Sequence, residues 1–390
     1  MYIKKSVLVI CSIILVLASA LLTIMAVNPF GIIQFDDFFK FNTGVGALKK
    51  YFYEDIDNET LVDGALLGLS YSAEDPYTVY MDREEAKTFM ENVESDDYIG
   101  IGLYLTNNIE DNTITVVSPL AHSPAEDAGI VSGDKIVEVE GKVVKGEDLN
   151  EVAAKLRGED GTSVEIKVLK KSSGETEKIN LTRRTIKRET VNSKFVEEKT
   201  GYIQVTQFGV NTYVEFVEHY NNLIDEGMRQ LVIDLRNNPG GYVETASQVA
   251  DVFLSEGTIV YTMNKYGQKH EYIAQSEKVQ IPLVILTNGG TASASEILVG
   301  ALRDWGIAKS VGEKTFGKGV TQVPYQLYDG SILKITDSRY YTPKGVCIDK
   351  EGIIPDYEIE MSDEKTANIS DLSLDEDDQL KKAIEVLKSK

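Results

Sequence analysis

Two apolar runs, Gln230-Leu-Val-Ile-Asp-Leu235 and Pro282-Leu-Val-Ile-Leu286, each pass into a glycine-rich turn and then into helix-patterned sequence. Runs this short and this apolar read as strands buried on both faces. Strand, tight turn and helix in repetition describe stacked ββα units, which puts the core of the chain, residues 186–360, in the α/β class. Gly201-Tyr-Ile-Gln-Val-Thr-Gln-Phe208 reads as a further strand, and residues 212–226 and 242–254 read as helices.

The turns carry the candidate chemistry. Residues Gly289 to Ala294 are nearly all Gly, Ala, Ser and Thr, and a helix with an apolar face of Ile297, Leu298, Ala301 and Leu302 follows. A serine at such a strand-to-helix turn, Ser293, exposes its hydroxyl where backbone N–H groups point at a developing oxyanion. Read alone it would be an ordinary helix cap, and Ser295 and Thr291 are its rivals. Lys318 stands further on between two glycines, in Phe316-Gly-Lys-Gly319, and Gln322 follows four residues later. A serine hydroxyl becomes a nucleophile when a base takes its proton. A lysine can be that base once burial brings its pKa down from roughly 10.4 toward neutrality. Asn237-Asn-Pro-Gly-Gly241, after the first strand, is a tight turn that can bring a glycine N–H, with Gly240 favoured over Gly241, beside that of Ala294. Together these suggest a Ser/Lys hydrolase. Gly312–Lys318 has the spacing of a phosphate loop, but Gly319 stands where Ser or Thr should hold magnesium, and strand-like sequence follows in place of a helix.

Composition narrows the field. The chain has 390 residues, room for two or three domains, and a formal net charge of −22, which argues against nucleic acid as a partner. Three histidines without ligand spacing, His122, His219 and His270, give no metal site, and neither metal nor cofactor is expected. Cys11 and Cys347 allow no disulfide within an exported part, and no histidine lies near Cys347 in sequence. Lys4 and Lys5 precede an uncharged apolar run, Ser6 to Val27, about 22 residues long and sufficient to span a bilayer. It is read as a retained single-pass anchor in the cell membrane, with a cleaved signal peptide as the competing reading. The positive flank stays in the cytoplasm and the rest lies on the extracytoplasmic side.

Residues 28–97 read as a helical N-terminal arm. Residues 98–185 change to short strands and turns around one helical stretch, Glu147–Leu156, and resemble a PDZ domain. Gly100-Ile-Gly-Leu103 stands where PDZ domains place their carboxylate-binding loop, and the strand after it would take a peptide by β-augmentation. Arg157 is read as a turn residue or a polar link to the core. Residues 361–390 are an acidic linker ending in a short amphipathic helix, 378–387, suited to docking on the body or on a second subunit.

DPYTVYM, YIGIG, SPAEDAGI, LRGEDGT, GYIQVTQF, DLRNNPGG, TASASEI, GEKTFGKGVTQ and GIIPD, in this order, resemble the C-terminal processing peptidases, the tail-specific serine proteases. The resemblance spans Leu48 to Leu387. It implies a crotonase-like ββα core with an inserted PDZ domain that captures protein C-termini. It also implies Ser293 as nucleophile, Lys318 as base, Gln322 orienting the lysine, and a homodimer formed through the terminal helices. Thr78, where a serine is often found, is a mild variation. Two other readings remain, a catalytically inactive PDZ adaptor and a crotonase-type acyl enzyme.

Overall fold

The computed structural model describes residues 13–16, 19, 35–94, 98–108, 111–120, 123–187, 189–275, 279–362, 365–366, 369 and 372–389. The expected anchor, Ser6 to Val27, lies largely outside them. Among the described residues no helix is long and apolar enough to cross a membrane. The chain divides into two compact units, Met1–Tyr80 and Met81–Lys390.

The first unit includes the helices Phe35–Tyr51 and Asn58–Tyr71. Asp36 and Asp37 in the first turn and Lys49 and Lys50 in the last match the dipole of the first helix. Asp57 caps the second, accepting the Thr60 N–H at 2.8 Å. Phe41, Val45, Leu48, Leu61 and Ala65 line a shallow groove between the two. Phe39, Tyr51, Leu69 and Tyr71 are exposed.

The core of the second unit is a sheet with Val191–Glu197, Thr200–Val205, Gln230–Asp234, Leu283–Thr287, Ala308–Gly312 and Tyr357–Glu358 side by side in that order. The first pair is antiparallel and the rest are parallel. Alternation divides each central strand between two layers. Ile203, Leu231, Ile233, Leu283 and Ile285 share a core with side chains of the helices Thr212–Asp225, Val243–Asp251 and Ala294–Asp304. Tyr202, Val232, Val284, Leu286 and Val311 point the other way, against Leu380, Ala383, Ile384 and Leu387 of the helix Asp378–Lys388. Burial on both faces is why the two strands read as continuous apolar runs. The C-terminal helix therefore docks on the body, and each fully buried aliphatic side chain there contributes roughly 1.5–3 kcal/mol.

A second, antiparallel sheet pairs Ile332–Tyr341 with both Val320–Gln326 and Gly257–Asn264. Its strand Val320–Gln326 leaves the Lys318 loop directly. The remaining sheet, Leu103–Asn108, Thr113–Pro119, Lys135–Val139, Ser163–Leu169 and Thr176–Thr182, encloses its own core of Ile114, Val116, Ile136, Val164 and Ile166. It is joined to the rest where Tyr98–Gly100 pairs with Arg184–Ile186. Leu103–Asn108 is an edge strand, and the helix Leu149–Leu156 lies beside it.

Candidate active site

The strand Leu283–Thr287 ends at Thr287, and within a few residues the chain reverses into the helix Ala294–Asp304. Asn288 and Thr291 fold the turn. Asn288 N–H donates to Thr291 Oγ1 at 3.0 Å, and Thr291 Oγ1 donates to Leu235 O at 2.8 Å. Ser293 sits at the apex with φ 57° and ψ −119°, a conformation that L-residues avoid and that clusters at functional sites. Three hydroxyls compete here as nucleophiles. Ser295 and Thr291 are fully buried and donate to Asn238 O and Leu235 O, whereas Ser293 retains 9% exposure.

The Asn237–Gly241 turn packs directly on this apex. Gly240 has φ +99°, and a Cβ placed on it would lie 2.7 Å from Ala292 O, 2.8 Å from Ser293 Cβ and 2.9 Å from Ala294 N. Its neighbour Gly241 faces the opposite way, where a Cβ would meet Phe208 O at 2.1 Å. One glycine thus lets the backbone approach the serine, and the next lets it pack on Phe208. Asn238, fully buried, organises the turn. Its Nδ2 donates to Val205 O at 2.8 Å, its carbonyl accepts Ala292 N–H at 3.0 Å, and its Oδ1 accepts the Gly240 N–H at 2.9 Å.

Lys318, half-buried, lies in the loop before the strand Val320–Gln326, and its backbone meets the same apex. Glu296 carries the junction. Its Oε2 accepts the N–H groups of both Ser293 and Lys318 at 2.9 Å, and its Oε1 accepts Gly317 N–H at 2.8 Å and Thr315 Oγ1–H at 2.6 Å. The carboxylate is fully buried, and burial pushes its pKa above the ordinary glutamate range despite these hydrogen bonds. The backbone N–H groups that would cradle phosphate in a Gly312–Lys318 loop are here turned onto a carboxylate. Tyr340, 1% exposed, also spans the junction, with its hydroxyl bonding both Ser293 O, at 3.0 Å, and Lys318 O. Gln322 lies on the strand that leaves the loop, its Nε2 3.4 Å from Val320 O and from Thr336 Oγ1. The structure so brings Ser293, Ala294, Gly240 and Lys318 together, with Gln322 one step along the strand.

Behind the glycine turn, Arg236 is buried between Asp234, at 2.5 Å, and Asp377, at 2.8 Å, and also donates to Gln379 at 3.1 Å. Burial alone would lower the guanidinium pKa, but the two carboxylates outweigh it and raise it. Asp377 is the N-cap of the C-terminal helix, so the tail is pinned to the loop that faces Ser293.

Away from these turns, Ile101, Gly102, Leu103, Leu149, Ala153 and Arg157 help line a groove of about 290 Å³ along the edge strand. Gly102 has φ +78°, and a Cβ there would fall 2.2 Å from Ser123 Cβ. Gly100 lies in the two-stranded link, paired with Arg184. His219 Nδ1 meets Ser193 Oγ at 2.7 Å, His270 packs edge-on against Tyr272, and His122 lies outside the described residues.

Residues 199–359 match the model of peptidase family S41, residues 115–170 a PDZ domain, and residues 28–85 the N-terminal domain of the activating protease CtpB. The carboxy-terminal processing protease CtpA of Bacillus subtilis is 39% identical over 84% of this chain and 70% of its own length. The chain belongs to peptidase family S41. It is a C-terminal processing peptidase, a serine-type endopeptidase with a PDZ domain and a mixed α/β core. A carboxyl-terminal-processing protease of Picosynechococcus is 40% identical over 73% of this chain and 69% of its own. The solved photosystem II D1 C-terminal processing protease superposes with a TM-score of 0.52 at 31% identity, covering 82% of this chain and 86% of the other.

Sequence reasoning passed over Glu296, Tyr340, Asn238 and the Arg236–Asp377 pair. Ser293-Ala-Ser-Glu296 carries the S-x-x-E spacing of a capping box, a readable signal for the glutamate. Nothing local marks Tyr340, whose partners lie 47 and 22 residues away in sequence.

Proposed function

We propose that the enzyme cleaves proteins near their C-termini with a Ser293/Lys318 dyad, after the groove beside Leu103–Asn108 has captured the terminal carboxylate. The observation that carries this reading is one oxygen, Glu296 Oε2, which accepts the backbone N–H groups of both residues and so fixes them side by side. Neutral Lys318 takes the proton from Ser293 Oγ, which attacks the scissile carbonyl. The N–H of Ala294, at the positive end of its helix, and that of Gly240 hold the oxyanion. Serving it requires Gly240 to share or release its bond to Asn238 Oδ1. The lysine then protonates the leaving amine and activates a water, and Gln322 orients the lysine. The core is read as crotonase-like, and the chemistry calls for no metal or cofactor.

In the groove, the glycine at 102 lets the backbone turn toward a carboxylate, and the open edge of Leu103–Asn108 takes the peptide as an added strand. The apolar run at 6–27 is read as a membrane anchor that leaves the catalytic part outside the cytoplasm. The exposed aromatic residues of the N-terminal arm support pairing with a second copy of the chain.

The test is cleavage of an unstructured protein ending in an apolar tail, with the terminal carboxylate free or amidated. Wild-type protein should cut the free form faster, and Gly102→Ala should remove most of that preference while short internal peptides are still cut. Ser293→Ala and Lys318→Ala should bind the tail without cutting it. Binding without cleavage by the wild type would instead indicate an adaptor.

A further inference from the structure

Ser293 and Lys318 are held by the same pair of side chains, each gripped at both ends of its backbone unit. Glu296 Oε2 accepts the N–H of Ser293 and of Lys318, each at 2.9 Å. The Tyr340 hydroxyl lies against the carbonyl of Ser293 at 3.0 Å and that of Lys318 as well, its single hydrogen shared between the two acceptors. Glu296 and Tyr340 have 0% and 1% exposure, so solvent cannot substitute for either partner. Both have further anchors beside the two residues they hold. Glu296 lies in the first turn of the nucleophile helix and also accepts from Thr315 and Gly317. The Tyr340 N–H donates to Gly319 O at 3.0 Å, locking its strand to the lysine loop.

We infer that Glu296 and Tyr340 are positioning residues for the reaction, a two-sided backbone clamp that sets the separation and aim of the Ser293 hydroxyl and the Lys318 amine. The inference rests on the dyad reading above. Ser293 needs such a clamp because its φ of 57° is unfavourable, and a backbone free to relax would carry the hydroxyl away from the lysine. A displacement of about 1 Å at reacting groups can cost on the order of 100-fold in rate. The clamp touches neither substrate nor the reacting atoms, so its loss should fall on turnover and leave substrate binding intact.

Tyr340→Phe removes a hydroxyl and keeps the ring, which makes it the cleanest probe. On the full chain, kcat for a short peptide should fall about 10- to 100-fold with KM nearly unchanged, while the carbonyls left without their buried donor lower the thermal midpoint by a few degrees. Glu296→Gln, left with a single acceptor oxygen for four donors, should lose kcat likewise and fall further in thermal midpoint, because buried N–H groups lose their acceptor. The double variant should lose little beyond the worse single one, because the two residues act as one device. Tyr220→Phe, in the same core but on the helix Thr212–Asp225, controls for generic removal of a hydroxyl from a core tyrosine. Wild-type kcat in folded Tyr340→Phe, or a loss matched by Tyr220→Phe, would overturn the clamp. Should Tyr340→Phe not fold, the kcat and KM of Glu296→Gln decide by the same criterion. Ser293→Ala separates the two levels. If it still cleaves, the dyad reading falls and the clamp with it. If it is inert while Tyr340→Phe runs at full speed, the clamp alone falls.

Discussion

At the scale of single residues, Ser293 is held in a conformation that L-residues avoid. Its backbone conformation costs about 1–3 kcal/mol and is imposed by Glu296, Tyr340 and the first N–H groups of its own helix. Glycine adopts that conformation freely. Both Ser293→Gly and Ser293→Ala remove the hydroxyl, but the glycine variant should be the more stable by about 1 kcal/mol in urea unfolding. Equal stability would mean that the turn stores no strain. Ser293 and Lys318 were legible in the sequence because each lies in its own short glycine-rich motif, and Gly240 because Pro-Gly-Gly needs a turn. Glu296 and Tyr340 were not, since what makes them matter is a meeting of two sheets that no local pattern encodes.

At the scale of elements, the sequence pattern was most informative where one element's environment is uniform. Strands buried on both faces announced themselves by unbroken apolar runs, and the PDZ strands by a run of short strands and turns around one helix. The amphipathic C-terminal helix was different, because its pattern shows that one face is covered without saying by what. Within the PDZ sheet, Asp134 ties two turns together, accepting the N–H of Lys171 at 2.8 Å and of Val131 at 3.2 Å and pairing with Lys170 at 3.0 Å. Burial would raise this carboxyl, yet those partners hold its pKa below the ordinary aspartate range. A lowered native pKa means that the unfolded chain binds more protons on the acid side. The stability Asp134 contributes is therefore complete above its unfolded-state pKa and lost as pH falls through the native one. Asp134→Asn should be less stable than wild type at pH 7, and the gap should close on acidification in unfolding curves taken down to about pH 3. A gap independent of pH would contradict the assignment.

At the scale of the whole molecule, the tail is a structural part of the catalytic core. Asp377 and Gln379 lie 141 and 143 residues from Arg236 in sequence, yet they complete the buried network under the Asn237–Gly241 turn. Asp377→Ala leaves the guanidinium short of a partner and frees the N-terminus of the helix that covers the sheet. It should cost about 3 kcal/mol and lower kcat through the turn that faces Ser293, with tail binding by the PDZ groove unaffected. A stability loss with normal kcat in the folded fraction would show that the network holds the tail without tuning the site. The central claim is the covalent step at Ser293 driven by Lys318. Its most direct measurement is mass spectrometry of the full chain quenched during turnover of a slowly deacylating peptide ester. An acyl adduct localised by fragmentation to Ser293, and absent from Lys318→Ala, is the expected result. An adduct on Ser295 or elsewhere, or acylation that persists without Lys318, would contradict it.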